Sequence, residues 1–197
     1  STNNYKNNLL IIISSPSGAG KTTVCKKIIN LDKNIKLSVS HTTRAPRDNE
    51  INGLDYFFIS SDEFNSKILD KSFLEHANVF GNYYGTSKKK VEEILSKGFD
   101  VLFDIDWQGA TQILNSKFSK IITIFLVPPS KEVILNRLEK RSKETGDDYE
   151  SIQRRMLEYE NEMLHSKEYS YVVVNNDIEE CTKRVMSIIE NERKINI

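Results

Sequence analysis

The sequence predicts an α/β protein: a three-layer α/β/α sandwich around a mainly parallel five-stranded sheet, carrying a small mixed-β insertion and a helical hairpin. Three observations predict it. Short runs rich in Ile, Val and Phe are apolar at nearly every position rather than at every second one, as in strands buried on both faces. Those runs alternate with stretches of helical length and pattern, which places helices over both faces of the sheet. The alternation breaks once, between His41 and Ser87, where short strands and turn residues crowd together.

Residues 9–14 (LLIIIS) form the first strand, and a helix at 21–30 follows a glycine-bearing turn. Residues 36–40 form the second strand. The insertion then runs through a loop, a strand at 56–60, and a short helix opened by the capping-box-like Ser60-Ser61-Asp62-Glu63. A strand at 73–80 and the turn Gly81-Asn82-Tyr83-Tyr84-Gly85 complete it. A helix at 91–97 stops at Gly98, and a strand at 100–105 leads into a helix at 107–115. After a strand at 120–127 come helices at 131–141 and 148–165, a strand at 169–174 and a last helix at 178–190. One compact body results, with a core (1–35, 97–134 and 168–197), the insertion (36–96) and the hairpin (135–167). The polar start STNNYKNN reads as a frayed end.

Lys plus Arg and Asp plus Glu total 28 each, so the formal net charge is zero and no bulk attraction to nucleic acid or membrane follows. Any basic site is therefore local. Cys25 and Cys181 have no metal-like spacing and build no disulfide framework, which suits packing residues in a reducing compartment. The apolar run near the start is far short of the roughly 20 residues that span a bilayer. A soluble cytoplasmic protein, without nucleic-acid or membrane partners, is the expectation.

The turn after the first strand carries the chemistry. Ser15-Pro16-Ser17-Gly18-Ala19-Gly20-Lys21-Thr22 matches the P-loop pattern G-x-x-x-x-G-K-[ST] at Gly20, Lys21 and Thr22, with Ser15 in place of the first glycine. That spacing lets successive backbone N–H groups converge on phosphate oxygens while a helix N-terminus points at the same charge. Lys21 would reach the β- and γ-phosphates of a nucleoside triphosphate. The Thr22 hydroxyl would hold Mg²⁺, with Thr23 beside it as a lesser substitute. An ordinary glycine-rich turn with a solvated lysine is the plain alternative. The strand VLFDID ends in Asp104 and Asp106 where a parallel sheet's carboxyl end adjoins the cradle. Asp104 is expected to serve the metal, through water, or cationic groups of the site. Asp106 is divided between a site role and capping the helix that starts at Trp107.

A second anion site is legible in the insertion. Arg44 and Arg47, three apart around Pro46 and followed by Tyr56, can set two guanidinium forks and a phenol around one phosphate. FLEHANVFGNYYGTS adds Glu75, Tyr84 and Thr86, with Tyr83 better suited to packing. Cations at one end and a carboxylate with hydroxyls at the other make a nucleotide-shaped site.

Taken together, Ser40, Thr43, Arg44, Arg47, Gly53, Tyr56, Glu75, the run Gly81 to Thr86, DIDWQG, RLEKR and VNND resemble guanylate kinase over nearly the whole chain. The resemblance implies a P-loop core, a GMP-binding region and a mobile lid, with MgATP as donor and GMP, with dGMP beside it, as acceptor. It implies that Arg44, Arg47, Tyr56 and Tyr84 hold the acceptor phosphate. Ser40, Glu75 and Thr86 would read guanine beside Gly85, with Asp104 and Asp106 near the same substrate. Guanine's N1–H and amine are two donors that a Glu75 carboxylate can accept, whereas adenine offers an acceptor at N1 and leaves that carboxylate unmatched.

RLEKRSKETGDDYESIQRRM would be the lid. Arg137 and Arg141 are four apart on one helix face, and Arg154 and Arg155 return on the next helix. By the resemblance Arg137, Arg141 and Arg155 cover the donor phosphates and Asn175 lies near the adenine of ATP, whereas Arg154 has no firm counterpart and its plain reading is a solvated side chain. Lys21, Arg44, Arg47, Arg137, Arg141 and Arg155 are the expected catalytic set, since transfer between two anions is a task of positioning and charge neutralisation. No general base is needed, so His41, His76 and His165 receive no catalytic role. A docking module of the same shape would not need Gly20-Lys21-Thr22 or the lid arginines. A kinase for a phosphorylated sugar would give Ser40, Glu75 and Thr86 no base edge to read. A monomer or homodimer is expected.

Overall fold

In a computed structural model the described residues are 8–16, 20–118, 120–146 and 148–195. The strands are β1 (Leu10–Ser14), β2 (Ile35–Leu37), β3 (His41–Thr42), β4 (Phe57–Phe58), β5 (Phe73–Val79), β6 (Asn82–Ser87), β7 (Asp100–Asp104), β8 (Ile121–Val127) and β9 (Tyr171–Val174). The helices are α1 (Lys21–Leu31), α2 (Ser61–Leu69), α3 (Lys88–Ser96), α4 (Trp107–Leu114), α5 (Lys131–Thr145), α6 (Tyr149–Leu164) and α7 (Ile178–Ile195).

The core sheet is parallel throughout, in the order β2-β7-β1-β8-β9. Its central strand explains the unbroken apolar run. Leu9, Ile11 and Ile13 pack under α1 and α7 with Val24, Ile28, Val185 and Ile189, while Leu10 and Ile12 pack on the opposite face with Val91, Phe103, Ala110 and Ile113. Ile13 pairs with Asp104, so the carboxyl ends of β1 and β7 emerge side by side beneath the turn that leads into α1. At the other end of β7, Asp100 accepts the Leu9 N–H at 2.8 Å and a guanidinium N–H of Arg193 at 2.9 Å, and Arg193 also holds Asp32. That latch fixes α7 to the start of β7 and the end of α1.

The insertion is a second, mixed sheet in the order β4-β3-β6-β5. Here the sequence expectations need correction. The chain leaves the core sheet after Leu37 to begin β3, so the expected strand at 36–40 is shorter and earlier. The strand expected at 56–60 is reduced to Phe57–Phe58. The segment Gly81 to Gly85 is not a turn: Phe80 (φ 53°) and Gly81 (φ 83°) make a two-residue hairpin, and Asn82–Ser87 is a full strand on β5. A phenylalanine in the left-handed region gives no sequence signal, which hid this hairpin. Helix α3 starts at Lys88, capped by Ser87, and α5 and α7 run several residues beyond their expected ends.

Helices α5 and α6 form the hairpin, with Gly146 at φ 78° ending α5. Ile134, Met156 and Tyr159 give it a cluster of its own, joined to the core by Met163 and by Trp107 stacked on His165 with ring centroids 3.7 Å apart. Among the described residues no helix is long and apolar enough to cross a membrane.

Candidate active site

Helices α2 to α6 each begin at a side chain that accepts a backbone N–H of the first turn: Ser60, Ser87, Asp106, Ser130 and Asp148. Helix α1 differs. It begins at Gly20, left-handed at φ 78° and without a side-chain cap, so its first N–H groups and the positive end of its dipole are available to an anion. A Cβ at Gly20 would lie 2.7 Å from the Asn175 amide nitrogen, so the bare glycine admits Asn175 against the cradle. Ser15 and Pro16 are buried at the strand end, while Ser17, Gly18 and Ala19 lie outside the described residues.

Lys21 Nζ meets Asp104 Oδ1 at 2.7 Å, and Thr22 Oγ1 donates to Asp104 Oδ2 at 3.3 Å. Burial works against the ammonium charge, but Asp104 outweighs it and the Lys21 pKa rises above the ordinary lysine value. Asp104 thus lies with the lysine and threonine of the motif. Thr23 is exposed on α1.

At the other end, Glu75 lies on the inward face of β5 with Phe73 and Ala77 and is 3% exposed. Its Oε1 accepts from Thr86 Oγ1 at 2.6 Å. Burial pushes its carboxyl up to about 7; the Thr86 bond opposes this and the nearby Asp106 charge adds to it. Ser40 is buried as well. Asp106 caps α4 as its position suggested, accepting from Gly109 N at 3.2 Å and Gln108 Nε2 at 2.9 Å. Gly85 has a packing reason to lack a side chain, since its Cβ would meet the Phe73 ring at 2.8 Å.

The arginine pair is asymmetric. Arg44 makes a bidentate pair with Glu50, both bonds 2.8 Å, and its guanidinium lies 5.2 Å from the Tyr56 ring centroid. Arg47 is exposed and offers its backbone N–H to the same Glu50 at 2.8 Å. The hydrogen bond with Arg44 holds the Glu50 carboxyl down to about 2. Sequence reasoning missed Glu50, whose only signal was a carboxylate six residues beyond the first arginine. Tyr56 and Tyr84 meet edge-on at 5.8 Å. Tyr56, its hydroxyl raised first by burial and then by Asp104, also feels Lys21 and Arg44, and so sits between the two ends. Tyr169 provides a second bridge. Burial pushes its hydroxyl up to about 12, the Asp106 charge adding to this while Ser14 and the Lys21 charge oppose it. Arg137 and Arg141 are exposed on α5, and Arg155 is half-buried on α6. All three arginines therefore lie on the hairpin helices.

Comparison with known proteins is consistent across sequence and structure. The family profile described as Guanylate kinase matches residues 7–192. The chain belongs to the guanylate kinase family. The guanylate kinase of Rickettsia prowazekii (strain Madrid E) is 45% identical over 98% of this chain and 96% of its own length. That of Ruegeria sp. (strain TM1040) is 46% identical over 94% of this chain and 84% of its own. The crystal structure of guanylate kinase from Anaplasma phagocytophilum superposes with a TM-score of 0.77 at 35% identity, covering 95% of this chain and 87% of that one. The five-stranded core, the separate mixed sheet and the helical hairpin are therefore the architecture of this kinase family.

Proposed function

We infer that this enzyme phosphorylates GMP, moving the γ-phosphoryl group of ATP in line onto a GMP phosphate oxygen. The bond to the departing ADP breaks as the new P–O bond forms, giving GDP. One observation carries the substrate assignment: a buried carboxylate, Glu75, accepts from the Thr86 hydroxyl beside Gly109 in the first turn of α4, and among the described residues no cation pairs with it. A carboxylate so placed matches the N1–H and amine of guanine and leaves adenine unpaired, a discrimination of about 10⁴-fold for sites built on buried polar groups.

The residues divide the work. Gly20, Lys21 and the open α1 terminus hold the donor phosphates, beside Ser15, Pro16 and Asn175. Arg44, Arg47, Tyr56 and Tyr84 hold the acceptor phosphate. Ser40, Glu75 and Thr86 hold the base. Arg137, Arg141 and Arg155 close over the transferring group when the hairpin swings down, excluding water as a competing acceptor. Thr22 and Asp104, whose hydroxyl and carboxylate oxygens lie 3.3 Å apart, are the residues that would hold Mg²⁺. Bound there, Mg²⁺ supplies neutralisation of the phosphate charge. The low pKa of a phosphate monoester makes it a nucleophile without a base.

The test is an ADP-release assay with GMP, dGMP, AMP, CMP and UMP under saturating MgATP. The expected result is strong selectivity for the guanine nucleotides. Equal rates with AMP and GMP would refute the role of Glu75.

A further inference from the structure

Strand β5 is the outer strand of the mixed sheet, so its far edge presents backbone groups with no strand to pair them. Helix α4, from the core, lies along that edge. Gln112 Oε1 accepts the His76 N–H at 3.0 Å while Gln112 Nε2 donates to the His76 carbonyl at 2.7 Å. One carboxamide thus makes both bonds that a neighbouring strand would make. One turn earlier, Gln108 Nε2 donates to the Asn78 carbonyl at 3.2 Å. The match is geometric: four residues of helix rise about 6 Å, and two residues of strand advance about 6.7 Å. Between these contacts the helix backbone comes close to Glu75. A Cβ on Gly109 would lie 2.5 Å from Glu75 Oε2 and 3.0 Å from its Cδ.

We propose that Gln112 and Gly109 are positioning residues for the guanine-binding carboxylate: Gln112 pins the main chain of the residue after Glu75 to α4, and Gly109 leaves the space that Oε2 occupies. The inference rests on the assignment of Glu75 to guanine. Its consequence is that the base-reading group is held by the core helix, through side-chain bonds that replace a missing strand, and not by the insertion alone.

The experiment is steady-state kinetics on the full chain with Gln112→Ala, Gln112→Glu and Gly109→Ala, each compared with Glu75→Gln. Gln112→Ala is expected to raise KM for GMP by about five- to tenfold and narrow the GMP-over-AMP ratio of kcat/KM, with KM for ATP within about twofold, since misplacement of a binding group by a fraction of an ångström is costly. Gln112→Glu keeps the acceptor and loses the donor, so an intermediate value is expected. Gly109→Ala should act in the same direction and more strongly. Should that variant not fold, the two Gln112 variants decide alone. In the Glu75→Gln background, Gln112→Ala should add little, because both changes act on one group. An unchanged KM for GMP in Gln112→Ala, or equal rises for GMP and ATP, overturns the inference. If Glu75→Gln itself leaves the GMP preference intact, the assignment of Glu75 fails instead, whatever Gln112 does.

Discussion

Two carboxylates of this protein, Asp104 on β7 and Glu75 on β5, are treated in opposite ways. Asp104 is ion-paired at 2.7 Å with Lys21 and bonded by Thr22, its side chain 23% exposed. Glu75 is 3% exposed, has a single hydroxyl donor and has another acid nearby. Under the proposed function, the Lys21 end is neutralised within the protein until phosphate replaces Asp104 as partner of the lysine, and the Glu75 end holds a carboxyl whose charge becomes favourable only when a ligand brings two N–H donors. A buried acceptor without its donors is costly, and specificity comes from the substrate that removes the cost.

The largest effect should come from the donor end. Lys21→Ala is expected to lower kcat by about 10³-fold or more, as losses of transition-state cations do, while calorimetric titration finds GMP affinity within about threefold of the parent. If GMP affinity falls in step with kcat, the two ends are not separate. Next in size, Glu75→Gln should reduce kcat/KM for GMP by about 10²-fold and barely change it for AMP, because only guanine presents the paired donors. Comparable losses for both nucleotides would mean that Glu75 serves the fold rather than the base.

The pH dependence sharpens the contrast, because Glu75 has opposite effects on stability and on binding. Its folded pKa of about 7 lies above the unfolded value near 4.5. Between these values the folded state binds the extra proton, so the contribution of Glu75 to unliganded stability falls as pH rises from about 4.5 to about 7 and is flat above. GMP requires the ionised form, so KM for GMP should fall across the upper part of that window. Thermal shift by GMP should therefore be larger at pH 8 than at pH 6, and Glu75→Gln should remove the difference. Glu50 behaves the other way: its pKa, lowered to about 2 by Arg44, gives stability present above about 4.5 and lost as pH falls toward 2. The smallest effect concerns Asp106. Asp106→Ala removes the cap of α4, and a loss of about 1 kcal/mol in chemical denaturation is expected, with KM for ATP unchanged.

The core sheet was legible because its strands are apolar on both faces, and Leu9 through Ile13 advertise this residue by residue. The mixed sheet was less so. His41–Thr42 and Phe57–Phe58 are two-residue strands that only their neighbours hold, and the Phe80–Gly81 hairpin carries one glycine where two left-handed residues occur. The glycine, lysine and threonine at the start of α1 were readable from spacing, since a strand-to-helix turn fixes their geometry locally. Glu50, Gln112 and the Arg193 latch were not, because each partner lies on another element or in an irregular loop.

Local order along the chain was enough to specify a parallel core, an anion-binding turn and the residue types of a nucleotide pocket, because helix and strand periods and the P-loop spacing are short-range constraints. Which carboxylate would be paired and which left buried was decided only by folding. Burial and partnership depend on the approach of α4 to β5 and of β7 to α1, contacts between residues that lie tens of positions apart and leave no trace in the sequence around either one.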